Sequence, residues 1–358
     1  MIDFRYHVVS IVAIFLALTV GLVIGASILS KGVADSLRSD LATRNDQIKS
    51  QQNQINSLKT QIDQQDKYIN ATADQLVSGR LSGLCVALVE IAGADSDAYS
   101  GARTLIQKQS GATVCSETMI NASLSSVSSS TDTQASLTEL VAEHAPAGQK
   151  LTGTPAQQAV ALIGEALTTY QTPGTSTTTV NPTNSSSATA TSKATGAAGS
   201  GTTTTTTTTT ATGTMSAVEA LGTLRDFQAA GFITILTQPV AGEQASLAYV
   251  QAPSSANADG DNQTYVTLTE ALRKGGAGTV VGGSADSSDK GGLVYAIIND
   301  NTATREISTV DNTDVTMGQV ASVFCLEAES QTTDGAAGHY GTGANNDGPL
   351  PPIATGTG

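Results

Sequence analysis

The sequence predicts an α/β protein: an N-terminal transmembrane helix, a long parallel coiled-coil helix, then a Rossmann-like α/β domain with a mainly parallel sheet. Three observations carry this. Val8 to Leu29 is a run of 22 residues without a charge. Isoleucine or leucine then recurs at every seventh position from Leu41 to Leu76. From Leu84 onward, short aliphatic runs alternate with helical patterns, the order that builds a parallel sheet.

Residues 1–7 form a short tail before the apolar run. At about 1.5 Å rise per residue, the 22 residues of 8–29 reach roughly 33 Å, enough to cross a hydrocarbon core. A cleaved signal peptide, cut near Ala26, is the rival, but signal cores are shorter, about 7–15 residues. Ala17, Gly21 and Gly25 place small residues on one helix face, which lets two helix backbones approach closely. Orientation is read two ways. Lys31, Arg38, Arg44 and Lys49 follow the run while Arg5 alone precedes it, which favours a cytoplasmic C-terminal side. Aspartates intersperse those charges, and the threonine-rich tract further on reads as extracytoplasmic.

Residues 31–79 are the rod. Position a of the heptad takes Ala34, Leu41, Ile48, Ile55, Ile62, Ile69 and Leu76. Position d takes Leu37, Arg44, Gln51, Leu58, Gln65 and Thr72. β-branched a residues favour two parallel strands, and a shared membrane anchor enforces the parallel direction. No Pro or Gly interrupts the pattern, and Gly79 supplies a stop. The polar d sites, Gln51 and Gln65 among them, weaken a simple seam and leave room for a partner helix. The rod is expected to form a homodimer. The competing expectation is a surface helix folded on its own domain.

Residues 81–330 read as one domain. Leu84 to Ile91 is a buried strand, Ala98 to Gln109 a helix and Ala112 to Met119 a second strand, a βαβ unit. Parallel neighbours would bring Cys85 and Cys115 together, either as a disulfide outside the cytoplasm or as two inert buried thiols. Helices follow at Ser136 to His144 and at Pro155 to Tyr170, the second opened by proline. Residues 171–214 are an insertion of Thr, Ser, Gly and Ala, with nine successive threonines from Thr202 to Thr210. That composition cannot bury a core and is expected to be disordered. After it, Ala217 to Ala229 is a helix, Phe232 to Thr237 a strand, Thr264 to Lys274 a helix and Thr279 to Val281 a strand. Leu293 to Ile298 is strand or helix. Ile307 to Val310 is a strand and Met317 to Glu327 a closing helix. Residues 331–358 read as a disordered Gly- and Pro-rich tail.

The chain carries a formal charge of −14. Residues 81–358 hold nine Lys/Arg against 24 Asp/Glu, which repels phosphate backbones and disfavours nucleic acid. Gly275-Gly276-Ala277-Gly278 lies between helix and strand, the wrong order for a phosphate loop, and Gly282-Gly283-Ser284 has no P-loop lysine. No GxSxG elbow occurs. His7, His144 and His339 are the only imidazoles, and none sits in a catalytic spacing. Asp259/Asp261 and Asp286/Asp289 read as solvated turns. Cys115 and Met119 share a strand face, but Met215, Met317 and Cys325 are scattered, so no metal ligands are assigned. No catalytic residues and no cofactor are expected.

The ends of the chain resemble a known family. Met1-Ile2-Asp3-Phe4-Arg5-Tyr6-His7-Val8-Val9-Ser10 runs straight into Ile11-Val12-Ala13-Ile14-Phe15-Leu16-Ala17-Leu18. Ser308-Thr309-Val310-Asp311-Asn312 and Gly338-His339-Tyr340-Gly341 come later. Together they are similar to the actinobacterial MctB-like family of copper-transport outer-membrane proteins. The resemblance implies a cell-envelope protein, with N-terminus cytoplasmic and coil and domain extracytoplasmic, and it brings a copper-transport role. Branches of the family are associated instead with cell separation alongside peptidoglycan hydrolases. No copper motif is matched, so no ligands are carried over. The leading expectation is therefore a single-pass dimeric scaffold that recruits or activates a peptidoglycan hydrolase. The alternative is a component of copper transport or homeostasis, with copper as its ion.

Overall fold

The computed structural model describes residues 4–125, 130–169, 215–239, 244–256, 259–331, 337–343 and 346–352. The expected disordered insertion, 171–214, lies outside them. The chain divides into two units, Met1–Lys67 and Tyr68–Gly358.

A single helix, α1, runs Phe4–Val77 without a break between membrane run and rod. Gly79, at φ +74°, follows it in the left-handed conformation that ends helices without a Cβ penalty. In the first unit the described side chains of α1 are exposed, Asp66 alone among them being half-buried. In the second unit its last turns belong to the head. Ala73 and Val77 are buried there with Leu81, Asn70 Oδ1 accepts a hydrogen bond from the Thr316 hydroxyl, and Arg80 lies 4.0 Å over the Phe324 ring. This corrects the lower end of the predicted rod. The inward stripe is the one bearing Ala73 and Val77, so Leu76 stays exposed and Ile69 is only half-buried.

The head is a three-layer α/β domain. β1 (Cys85–Ile91), α2 (Ser96–Thr104) and β2 (Thr113–Ile120) form the expected unit with parallel strands. α2 passes into one π turn at Leu105–Gln109. After it come α3 (Ala122–Ser125), α4 (Thr131–His144), α5 (Pro155–Thr169) and α6 (Ala217–Ala229). Then follow β3 (Ile233–Thr237), β4 (Leu247–Gln251), α7 (Asp259–Lys274) and β5 (Gly278–Gly282). α8 (Leu293–Ile298), α9 (Ala303–Glu306), β6 (Ser308–Val310), α10 (Thr316–Gln331) and β7 (His339–Tyr340) close the chain. The sheet order is β3-β2-β1-β4-β5-β6-β7, and only the β2–β3 pairing is antiparallel.

Alternation along each strand sorts the core into two faces. Val89, Ile91, Ala248, Val250 and Val281 point to a core roofed by α4–α9. Val86, Leu88, Leu247, Tyr249 and Val280 point to a second core under α2, α10 and the end of α1. Close helix packing is built in at Gly164 of α5, where an added Cβ would lie 2.7 Å from the Ala271 Cβ of α7.

Two expectations are corrected in the head. β4 was not foreseen, yet it sits at the centre of the sheet with every residue buried. Residues 331–358 are not all tail: His339–Tyr340 pairs parallel to β6. The buried Asp311 carboxylate accepts the amides of Thr342 and Gly343, each at 2.7 Å. Glycine-rich composition reads as structureless, but backbone amides meeting a buried carboxylate and an open sheet edge need no large side chains.

Candidate functional site

In the first unit, Arg5–Gly25 is long and apolar enough to cross a membrane, and none of it is buried. Ala17, Gly21 and Gly25 are exposed, and a Cβ added at either glycine would meet nothing within 4 Å. Leu37, Leu41, Ile48, Ile55, Leu58 and Ile62 are 45–62% exposed, and Gln51 and Gln65 are exposed beside them.

In the head, the strand order reverses between β1 and β4, where open α/β sheets usually bind ligands outside the strand carboxyl ends. Here that crevice is stitched shut. Ala94 and Pro253 form a bridge, and both the amide and the hydroxyl of Ser254 donate to the Gly93 carbonyl, at 2.9 and 3.0 Å. The Gly283 amide is committed to the Val310 carbonyl at 2.8 Å. Beneath, the Tyr249 hydroxyl donates to Gln251 Oε1 at 2.5 Å, and Gln251 Nε2 donates to Thr313 Oγ1 at 3.0 Å. These groups are buried and mutually satisfied.

Glu117 of β2 is buried among donors. It takes the Tyr99 hydroxyl at 2.9 Å and the Thr237 hydroxyl at 3.2 Å, with Arg103 Nε 2.9 Å away. Burial, then the Glu117 charge, pushes the Tyr99 phenol up, so it remains a donor. Burial and Glu117 likewise raise the neighbouring Glu90 carboxyl. This cluster ties α2, β2 and β3 together and commits both Glu117 oxygens to neighbours in the fold.

The three cysteines and Met215 are bonded or buried apart from one another. Cys85 and Cys115 are joined as a disulfide across β1 and β2, Cα–Cα 5.6 Å. Cys325 is buried, and burial followed by the Glu329 charge drives its thiol well above the usual range. Met215 is buried, its sulfur 3.7 Å from the Thr223 hydroxyl. Both ring nitrogens of His339 face hydroxyls, Thr309 at 2.9 Å and Thr304 at 3.0 Å. Burial lowers its pKa, which suits a neutral ring held between β6 and α9.

Among the described residues, one group of three metal-competent side chains converges: Glu143, His144 and Asp226, with ligand atoms all within 4.8 Å of one another. The end of α4 supplies the first two and α6 the third. His144 Nε2 lies 3.3 Å from Asp226 Oδ2 and makes no hydrogen bond. The Phe227 ring stands behind it, centroids 6.2 Å apart. Sequence reasoning named His144 but not its companions. The insertion separates His144 from Asp226, so no spacing motif links them.

The profile of a protein family described as copper transport outer membrane protein, MctB, matches residues 1–351. Curated relatives include the copper transporter MctB of Mycobacterium bovis and that of Mycobacterium tuberculosis. Each is 24% identical over 348 residues, covering 96% of this chain and 97% of the relative. The head's sheet, the membrane-length helix that precedes it and the terminal signatures all fall inside that match, and the chain belongs to the MctB family of copper transport outer membrane proteins.

Proposed function

We propose that this protein is a membrane-anchored component of copper transport in the cell envelope. One observation carries the reading: the family match runs from residue 1 to residue 351, through anchor, rod and head alike. The relatives are named for copper transport, which supports this reading over recruitment of a peptidoglycan hydrolase in cell separation. The head faces the extracytoplasmic side and the N-terminus the cytoplasm. A disulfide between Cys85 and Cys115 supports that orientation, because such bonds persist in oxidising compartments. Among the described residues one helix is long and apolar enough to cross a membrane, and one helix by itself encloses no channel, which gives the head the task of capturing or presenting the ion. The test is cellular copper content and copper tolerance in a strain lacking the protein. Both shift on deletion and return with the full chain, but not with a chain lacking residues 5–25. Unchanged copper content and tolerance on deletion would remove the reading.

A second reading concerns assembly. The exposed ladder from Leu37 to Ile62 supports a parallel homodimer along the rod, with Ala17, Gly21 and Gly25 as the close-packed face in the membrane.

A further inference from the structure

We propose that Glu143, His144 and Asp226 form a Cu(II) site between α4 and α6; this rests on the copper reading above. Three observations converge. The three ligand atoms already lie within 4.8 Å of one another, though they come from two helices far apart in sequence. His144 Nε2 is buried and makes no well-aligned hydrogen bond, facing the Asp226 carboxylate across the gap between the helices. Its separation from Asp226 Oδ2 is 3.3 Å. Two donors on one ion, with bonds of about 2.0–2.1 Å, sit roughly 3 Å apart, so the gap needs no rearrangement. Glu143 is exposed and completes the set by a rotamer change. The exposed Arg225 guanidinium, now 3.2 Å from Asp226 Oδ1, can swing into solvent.

The donor set chooses the ion. One imidazole and two carboxylates make a nitrogen and oxygen site that suits Cu(II). The thiolates and thioethers that select Cu(I) are absent from it. Among first-row divalent ions Cu(II) binds such donors most tightly. The Phe227 ring walls one side and keeps water from the imidazole. The head therefore holds oxidised copper at its surface, away from the sheet's sealed crevice.

The test is Cu(II) titration of the full chain in detergent micelles, followed by electron paramagnetic resonance and competition with a chromogenic chelator. The wild type takes up Cu(II) with the splitting of a single imidazole nitrogen. His144→Ala and Asp226→Asn weaken that binding on the order of 100-fold. Glu143→Gln, a surface change that leaves the packing alone, weakens it about 10-fold, and His7→Ala leaves it unchanged. Binding and spectrum that persist in His144→Ala and Glu143→Gln, absence of any Cu(II) signal in the wild type, or tighter Zn(II) than Cu(II) binding would each overturn the site. Complementation separates this from the broader reading. If deletion disturbs cellular copper and His144→Ala restores it fully, the site fails and copper transport stands. If His144-dependent binding is intact while deletion leaves copper undisturbed, the site stands and copper transport fails.

Discussion

Glu90 and Glu117 are two carboxylates on adjacent strands with different neighbours. Glu117 is surrounded by Tyr99, Thr237 and Arg103. Glu90, facing Met119 across the strands, is raised from its usual 4.5 by burial and then by the Glu117 charge. A carboxyl whose folded pKa is raised binds protons more tightly in the folded state. Its contribution to stability is fully present below the unfolded value and is lost as pH rises through the folded one. Glu90→Gln removes that titration. The variant should match the wild type in urea midpoint at pH 4 and exceed it at pH 8, the gain opening above 4.5. A Gln variant less stable at pH 8, with no pH-dependent difference, would contradict the burial argument. Glu329 is also raised, though its partners offset part of the effect. Burial raises it, while Ser308 and Arg273, at 2.6 and 2.9 Å, pull the other way.

At the scale of elements, two devices hold segments the core alone would hold loosely. α6 opens with a capping box: Glu219 Oε2 accepts the Ser216 amide at 2.7 Å, and Ser216 Oγ accepts the Glu219 amide at 3.3 Å. Ser216→Ala should cost about 1 kcal/mol of stability, read from a urea midpoint with unchanged slope. The Cys85–Cys115 disulfide closes a separation of 30 residues, for which chain entropy predicts about 3–4 kcal/mol. The double variant Cys85→Ser, Cys115→Ser should lose that amount and also lose sensitivity to dithiothreitol; a reductant effect that survives in it would refute the assignment. The sequence made β1 and β2 legible because their aliphatic runs are long and uninterrupted. It did not disclose β4, five residues with only one leucine and one valine, whose strand state is imposed by neighbours on both edges. β7 is shorter still and exists because β6 offers an open edge. The Glu143–His144–Asp226 group was unreadable for another reason. No periodicity places the end of α4 beside α6; only their shared packing over the sheet does.

For the whole molecule, the two units pose different physical problems. The head solves its own: two cores, one on each face of the sheet, bury most of its large aliphatic side chains, with Val218 and Leu236 among the few left exposed. The first unit leaves Leu37, Leu41, Ile48, Ile55, Leu58 and Ile62 uncovered on a single helix, and an isolated helix with a bare apolar stripe has nothing to gain from water. Covering one aliphatic side chain is worth about 1.5–3 kcal/mol. In the proposed homodimer a second copy, parallel in the same membrane, would supply the same stripe in register. A lysine at a position of the seam places two charges face to face in each copy-to-copy contact. Ile55→Lys with Ile62→Lys should therefore weaken pairing by roughly 3 kcal/mol or more, over 100-fold. The full chain in detergent, followed by light scattering, should shift from dimer to monomer. A cysteine at Leu58 should crosslink in the wild-type background and fail to do so in the double lysine variant. The head's unfolding transition should stay where it was, because neither isoleucine contributes to its cores. Were the wild-type chain monomeric in detergent and uncrosslinked at Leu58, the stripe would not be a seam between copies, and the rod would have to be covered by a different polypeptide.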